Sequence, residues 1–298
     1  QELVSYPLVR ERLNSCRTDS DYQRSCSVVI SDQPPGLRLI DVSPTCVVHA
    51  PEHAIYVALS HIWGGDQPYS FPQVVLNSIQ VAKELGYSYL WVDQNARRCI
   101  DQGSDADRHS LIRNMNLVYG HADLTIITAT GSDSVDDLPG VSVRHRVRQQ
   151  FAHFDKMAVL CPFPDAQGSI RNSHWNGRGW TYKEAMLSRR RLGLHEPPCD
   201  LPVQHRDIHG RDSVTTGDAT LQHFCPQPRP GSVEWQKSSS KPFGQISLYY
   251  GKHLSCESDR LNAFLGILSN QENHSPPIYH VWGALVMKCS GMWTIILA

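Results

Sequence analysis

The sequence lacks an excess of either charge, since its 298 residues carry 28 Lys and Arg against 29 Asp and Glu. A chain without a positive balance is not attracted as a whole to nucleic acid or to an anionic membrane. It also lacks the apolar run of roughly 20 residues that a membrane-spanning helix needs. Its first residues, Gln1 to Val4, contain no basic segment followed by an apolar stretch. The sequence therefore predicts a cytoplasmic protein with no membrane span and no nucleic-acid partner.

Cysteine pairs of the CxxC type are absent, although the chain has nine Cys. An odd number at irregular spacing argues against a disulfide framework and against a zinc ribbon. His205 and His209 are four residues apart, with His223, Cys199 and Cys225 nearby, but HExxH is missing and the region has the composition of a loop. We expect no metal site and no required cofactor.

What is present is a regular alternation of strand and helix patterns between residues 56 and 131. Apolar, β-prone runs cover 56–63, 89–93 and 122–130. A helical pattern beginning at Pro72 and ending at Gly86 lies between the first two runs, and a second pattern leads from Ser104 to Val118. Strands and helices that alternate at this spacing predict a parallel sheet. The chain is therefore an α/β protein.

Ligands of open parallel sheets bind beyond the carboxyl ends of the strands. Those ends carry Trp63, Gly64, Gly65 and Asp66 after the first run, Asp93 after the second, and Asp133 after the third. The two glycines could bring backbone N–H groups against a phosphate, although GxGxxG and GxxxxGK are absent and a tight turn is the alternative. Asp93 could bind a ribose or act as a catalytic acid, or it could cap the following turn.

Five segments resemble, in order and approximate spacing, the heterokaryon-incompatibility (HET) domain of filamentous fungi. They are YVALSHIWGGDQ (56–67), LGYSYLWVDQ (85–94), CIDQGSDAD (99–107), MNLVYGHADLTIITATGSDSVDDLPGV (115–141) and RGWTYKEAMLSRRRL (178–192). Two further segments, DRLNAFLGIL (259–268) and VWGALV (281–286), resemble the continuation of such proteins.

The resemblance implies a fold distantly similar to Toll/interleukin-receptor (TIR) domains, that is, a flavodoxin-like parallel sheet flanked by helices. We expect irregular insertions and a C-terminal helical extension around it. The predicted units are an N-terminal extension at 1–37, the α/β domain at 38–195, an irregular insertion at 196–245 and a helical continuation at 246–298 packed on the core.

Two departures from the family pattern affect this prediction. Residues 94–98 lengthen the loop between Asp93 and Cys99, and 193–199 are expected to break the strand that follows the arginine run. The three arginines, 189–191, are expected to complement the C-terminal dipole of the preceding helix.

Some TIR domains cleave NAD with a catalytic Glu. Glu184 is the candidate for that role in this chain, because Glu is infrequent here and Glu184 follows two aromatic residues that could flank a flat ring. A carboxylate there could hold the ribose hydroxyls and stabilise an oxocarbenium-like charge. Arg178 and Trp180 lie in the same motif and are candidates for contact with the nucleotide. The competing interpretation is a capping box, in which Thr181 and Glu184 only begin a helix.

Cys99 is a further candidate for the binding site, because Arg97 and Arg98 precede it and would favour a thiolate. A buried, inert Cys is the alternative. Ser60 and His61 are neighbours on a strand and point to opposite faces, so they cannot form a catalytic dyad.

Three functions remain open at this stage. The first is incompatibility-type recognition and programmed cell-death signalling, with NAD as a possible substrate. The second is a non-catalytic module that self-associates or binds a partner signalling domain. The third is a biosynthetic enzyme that acts on a small organic substrate.

Overall fold

The computed structural model describes residues in sixteen ranges, which are 3–18, 33–62, 71–93, 114–129, 137–141, 151–154, 157–160, 166–194, 213–216, 219–223, 248–256, 259–261, 263–264, 278–281, 284–289 and 292–296. The helices in these ranges are α1 (Tyr6–Thr18), α2 (Gln73–Glu84), α3 (Met115–His121), α4 (Ala166–Arg171), α5 (His174–Gly177) and α6 (Gly179–Leu187).

The strands of the principal sheet are β1 (Arg38–Asp41), β2 (Cys46–His49), β3 (Tyr56–Ser60), β4 (Tyr89–Val92), β5 (Leu124–Thr128), β8 (Arg190–Leu194), β9 (Ser213–Thr216) and β10 (Ala219–His223). A two-stranded sheet contains β6 (Phe151–Phe154) and β7 (Met157–Leu160), and a three-stranded sheet contains β11 (Ile278–Val281), β12 (Ala284–Cys289) and β13 (Met292–Ile296).

The principal sheet has the order β2-β1-β4-β3-β5-β8-β10-β9. Its four central strands are parallel, with β4 and β5 on either side of β3 and with β8 beside β5. Numbered along the chain, these four strands run 2-1-3-4, which is the order of flavodoxin-like sheets. Antiparallel strands extend the sheet at both edges. The predicted α/β class and flavodoxin-like core are confirmed.

The central strands form where the apolar runs predicted them. Every residue of β3 and of β5 is buried, as expected of parallel strands that are covered on both faces. Helix α2 begins after Pro72 and buries Val75, Ile79 and Ala82, and it ends before Gly86. Gly86 has a φ of 83°, a conformation that glycine adopts without steric cost.

Antiparallel strands lie inside the segment 196–245, which was predicted to be irregular. Ser213–Thr216 and Ala219–His223 pair with each other, and β10 also pairs with β8. Only Gly217 and Asp218 separate the two strands in sequence, a spacing typical of a hairpin. The Pro and His content of the surrounding region obscured this signal.

The strand β8 corrects a second expectation. Gly193 and Leu194 were predicted to break the strand after the arginine run, but both belong to β8 and pair with β5 and β10. Leu194 is fully buried, and that burial outweighs the low strand propensity of Gly193. In the C-terminal segment, residues 260–261 and 263–264 are helical, whereas 278–296 contribute three strands instead of the predicted helical continuation.

The three arginines of 189–191 act on different elements. Arg189 donates to the carbonyls of His121 and Ala122 at the end of α3, both at 3.0 Å. Arg191 donates to the carbonyl of Ala185 in α6 at 3.5 Å, and burial lowers its pKa to about 10. Arg191 therefore contacts the last turn of the preceding helix, as predicted, whereas Arg189 binds the end of α3 and Arg190 has another partner.

Asp123, directly before β5, joins that strand to α1, to β8 and to the turn before β4. It accepts hydrogen bonds from Arg190 at 2.7 Å, from Arg17 at 2.5 Å and from the hydroxyl of Tyr87 at 2.6 Å. Burial by itself would raise the pKa of Asp123, but these hydrogen bonds and the two guanidinium charges outweigh it and hold the pKa below its ordinary value. Helix α1 is thereby fixed to the sheet.

We predict that Asp123→Asn lowers the free energy of unfolding near pH 7 by about 2 kcal/mol, because it leaves Arg190 without its charged partner. Because the pKa of Asp123 is lower in the folded protein than in the unfolded chain, its carboxylate stabilises the fold at pH values above the pKa of the unfolded chain. This stabilisation is lost as the pH falls through the pKa of the folded protein. The difference between wild type and variant in urea unfolding should therefore narrow toward acid pH. Glu84→Gln, an exposed carboxyl, is the control, and an equal loss in both variants would contradict the prediction.

Candidate functional site

The candidate site lies where β3 and β4 end and where α6 packs against β3. Ser60 is the last residue of β3, His61 follows it, and Asp93 follows β4. All three side chains are buried. Glu184 reaches this edge from α6, so the structure brings Glu184 and Asp93 to the same end of the parallel strands.

Glu184 is enclosed by hydroxyl groups and cations. Its side chain is only 2% exposed. The nearby hydroxyls of Ser60 and Tyr119 and the charges of Arg178 and Lys183 favour its ionised form. Its Oε2 atom has no hydrogen-bond partner within the described ranges. A carboxyl that keeps one oxygen buried and unpaired carries an energetic cost that structural residues rarely have.

Burial raises the pKa of Glu184 from its ordinary value of 4.5 to about 7, against the opposing effect of the two hydroxyls and the two cations. Desolvation therefore outweighs the favourable contacts. A carboxyl that titrates near neutrality can exchange a proton under physiological conditions, as general acids and bases do. Perturbed groups of this kind concentrate at functional sites.

The capping-box interpretation of Thr181 and Glu184 is wrong. The N-cap of α6 is Arg178, and Gly179 is the first helical residue, so Glu184 lies in the interior of the helix. The Thr181 hydroxyl donates instead to the carbonyls of Trp175 and Arg178. Glu184 therefore has no part in beginning the helix, and its burial needs another explanation.

Asp93 faces a different neighbour. Its Oδ1 lies 3.9 Å from Nδ1 of His61, and both side chains are almost fully buried. Ser60, by contrast, accepts a hydrogen bond from the indole of Trp175 at 2.9 Å. Ser60 and His61 thus have separate partners, in agreement with their position on opposite faces of the strand.

Lys183 is an ionisable residue of the site that sequence analysis missed. It is 1% exposed, and its Nζ lies 5.1 Å from the centroid of the Trp180 ring. Burial lowers the pKa of Lys183 to about 8, although the neighbouring Glu184 acts in the opposite direction. A lysine and a glutamate that are adjacent in sequence thus both titrate within about one unit of neutral pH.

The predicted residues Arg178 and Trp180 lie at the start of α6. Both are half-buried, and Trp180 packs against the main core. The predicted residues Trp63, Gly64, Gly65, Asp66, Cys99 and Asp133 lie outside the described residues. The structure therefore brings together Glu184, Asp93, Arg178 and Trp180, and it adds Ser60, Tyr119, Trp175 and Lys183.

Sequence analysis could not have selected these additional residues from spacing. Trp175 and Ser60 are separated by 115 positions, and no local pattern links them. Tyr119 lies inside a motif of the resembled family, but its proximity to Glu184 becomes visible only when α3 is placed beside α6. Lys183 adjoins Glu184 and would be expected in solvent on composition alone.

The segment 248–256 packs on the start of α6. The N–H of Gly179 donates to the carbonyl of His253 and the N–H of His253 donates to the carbonyl of Gly177, both at 2.8 Å. A Cβ on Gly179 would lie 2.8 Å from Cδ2 of Leu254 and 3.2 Å from Cε2 of Tyr249. The helix that carries Glu184 is therefore in close contact with Leu254, which would have to shift to admit a Cβ at Gly179.

Within the described ranges, no cluster of three His, Cys, Asp or Glu residues could bind a metal ion. None of the described helices has the length and apolar character needed to cross a membrane.

Comparison with known proteins gives one similarity, in the region that contains this site. Residues 56–184 match the family model described as Heterokaryon incompatibility protein (HET). This segment is therefore similar to a HET domain, and the similarity implies a role in fungal heterokaryon incompatibility. The match begins with β3 and ends at Glu184, so it contains both predicted catalytic residues. No curated protein and no solved structure matches the chain.

We predict that Gly179→Ala lowers the free energy of unfolding by about 1–3 kcal/mol, since the added methyl group collides with Leu254 and Tyr249. Thermal unfolding followed by circular dichroism measures the effect. Gly177→Ala is a matched control, because a Cβ at Gly177 meets nothing within 4 Å. Equal effects of the two substitutions would show that the contact with Leu254 is not tight.

We also predict that Glu184→Gln changes how stability depends on pH. The pKa of Glu184 is higher in the folded protein than in the unfolded chain. Its contribution to stability is therefore complete at pH values below the pKa of the unfolded chain, and it is lost as the pH rises toward about 7. Between about pH 5 and pH 8, wild type should lose roughly 1–3 kcal/mol relative to the variant, which stays neutral. Urea unfolding at several pH values measures this difference, and parallel curves for the two proteins would refute it.

Proposed function

We propose that this protein acts in fungal self/non-self recognition and programmed cell-death signalling by cleaving NAD at its nicotinamide bond. Glu184 is the proposed catalytic residue. The observation that carries the proposal is the buried carboxyl of Glu184, which keeps Oε2 without a hydrogen-bond partner in the described part of the chain. An acceptor that no group in the described ranges uses is available to the hydroxyls of a ribose.

The proposed reaction needs water as its only co-substrate. The bond between C1′ of the ribose and the nicotinamide nitrogen breaks, and its electron pair leaves with nicotinamide. The ionised Glu184 accepts hydrogen bonds from the ribose hydroxyls and stabilises the oxocarbenium-like charge at C1′. Water then attacks C1′ and loses a proton, and the product is ADP-ribose. Asp93 lies at the same end of the sheet, where a second carboxylate can bind the sugar or accept that proton.

Access is a requirement of this mechanism. Glu184 is 2% exposed, so a substrate reaches its carboxyl only when neighbouring groups move apart. Arg178 and Trp180 are half-buried at the N-terminal end of the same helix. We place the nucleotide against this end of α6, where a guanidinium can pair with a phosphate and an indole can contact a flat ring.

We predict that the purified full chain releases nicotinamide from NAD and that Glu184→Gln reduces the rate by at least about 100-fold, since it removes the charge that stabilises the transition state. The rate should rise with pH through about 7 as the carboxyl ionises. Chromatography of nicotinamide and ADP-ribose measures the reaction. Absence of turnover at high concentration of folded protein would exclude the enzymatic proposal.

The second candidate is a non-catalytic module that self-associates. The burial of Glu184 favours it, because an enclosed carboxyl contacts no ligand, and so do the exposed side chains of Leu248 and Tyr250, at 64% and 75%. Light scattering at increasing protein concentration distinguishes the two candidates. Assembly that persists in Glu184→Gln and weakens in Tyr250→Ser would support the module, whereas a monomer at all concentrations would oppose it.

A further inference from the structure

A short segment beyond the matched residues holds the start of α6. It comprises residues 248–256 and is called the strap below. Its backbone makes two hydrogen bonds with the junction of α5 and α6, one from the N–H of Gly179 to the carbonyl of His253 and one from the N–H of His253 to the carbonyl of Gly177. Backbone groups at helix ends lack partners within their own helix. The strap therefore satisfies groups that the junction cannot satisfy by itself.

Side chains of the strap add to this attachment. Nζ of Lys252 donates to the carbonyl of Asn176 at 2.7 Å and lies 5.3 Å from the centroid of the Tyr182 ring. The ring of Tyr249 lies beside the same tyrosine, with the two centroids 6.0 Å apart. Leu254 packs on the cluster that contains both tyrosines. The strap thus covers α6 with a cation, an aromatic ring and a leucine.

Helix α6 is held between the strap and the principal sheet. Gly179, Tyr182 and Met186 contact the strap or its cluster, and their spacing of three and four residues places them on one face of the helix. Ala185 packs elsewhere, in a cluster with Ile127 of β5. A helix of nine residues is not stable by itself in water, so its position depends on both contacts. Release of the strap would loosen α6 and the side chains it carries.

Trp180 links the strap to the buried ionisable residues of the site. Its ring packs against the main core and also against the cluster that contains Tyr182 and Tyr249. Nζ of Lys183 lies 5.1 Å from the centroid of this ring. Lys183 is 1% exposed, and Glu184 follows it in the same helix. A movement of the strap that frees Trp180 therefore uncovers Lys183.

The strap has fewer buried groups than the sheet on which α6 lies. Only Tyr249, Lys252 and Leu254 of the strap are buried or half-buried, and its other residues are exposed. Strand β3, by contrast, is buried along its whole length. Segments with few buried contacts open at a lower free energy than the whole protein unfolds. We therefore expect the strap to open while the sheet stays folded.

We propose that the strap is an autoinhibitory element, which encloses Lys183 and Glu184 while it lies on α6 and uncovers them when it is released. Its effect on catalysis rests on the proposed function, because only there does a nucleotide have to reach Glu184. The enclosure of Lys183 can be measured without any substrate.

The experiment is acetylation of the full chain by acetic anhydride, with the rate at Lys183 followed by mass spectrometry of peptides. A buried amine reacts only from an open form, so the rate reports how often the site opens. Leu254→Ala removes the strap side chain that lies against Gly179, and it should raise the rate at Lys183 at least about tenfold. Gly179→Ala pushes on the same leucine from the helix and should act in the same direction.

Two controls separate this effect from a general change in reactivity. Leu261→Ala makes the same substitution at an exposed leucine and should leave the rate at Lys183 unchanged. Lys83, an exposed lysine of α2, should react at the same rate in every variant. Circular dichroism confirms that each variant is folded.

Urea below the unfolding transition distinguishes local opening from global unfolding. Opening of the strap exposes little surface, so the rate at Lys183 in wild type should hardly change with urea concentration. Reaction through global unfolding would instead rise as steeply as the unfolding equilibrium that circular dichroism measures.

Two results would overturn the inference. One is an unchanged rate at Lys183 in Leu254→Ala or, should that variant fail to fold, in Gly179→Ala. The other is a rate in wild type that rises with urea as steeply as global unfolding. A protein that releases no nicotinamide would refute the proposed function and leave the labelling result intact, whereas the labelling can fail to respond in an active enzyme.

Discussion

The central strand β3 is buried along its whole length, and this constraint determines what the neighbouring elements must supply. A polar group on such a strand cannot be satisfied by water, so it must find a partner in the protein. The hydroxyl of Tyr56 donates to the carbonyl of Val118 at 2.5 Å, and Ser60 accepts from Trp175. Val118 lies in α3, and Tyr119 of the same helix donates to the carbonyl of Leu59 in β3. Helices α3 and α5 are thereby placed by hydrogen bonds to β3 as well as by apolar packing.

Glu184 is the group that this arrangement accommodates least easily. Two hydroxyls and two cations favour its ionised form, yet burial still raises its pKa. Desolvation of the buried carboxyl is the largest contribution and outweighs the others. Asp123, directly before β5, lies at the opposite end of the sheet, and its pKa is lowered. Its direct contacts with Arg17 and Arg190 outweigh the burial of its carboxyl. One end of the sheet is therefore fixed by paired charge, whereas the other end carries a carboxyl that can exchange its proton.

Much of the central sheet could be predicted because its strands and α2 have local signals. Apolar runs identified β3, β4 and β5, and Pro72 and Gly86 marked the limits of the helix between them. The antiparallel edge strands were missed because their pairing depends on distant residues, as between Leu221 and Leu192. Glu184 was selected by its motif and its aromatic neighbours, but the capping-box alternative could be rejected only from the helix start at Gly179. Trp175 and Lys183 carry no local signal, since their roles follow from contacts that exist only in the folded chain.

The two acidic residues of the site differ in their partners, and this difference limits the chemistry they can share. Asp93 lies near His61, whereas the nearby hydroxyls of Ser60 and Tyr119 favour the ionised form of Glu184. Two carboxyls that share one proton lie in direct contact and form a dyad, but here each has its own set of neighbours. Both charges nevertheless act on the Tyr119 hydroxyl. Burial, and to a smaller extent these two charges, raises the pKa of Tyr119 well above its ordinary value. Tyr119 therefore stays protonated, and its hydroxyl donates to the carbonyl of Leu59 while both carboxyls act on it.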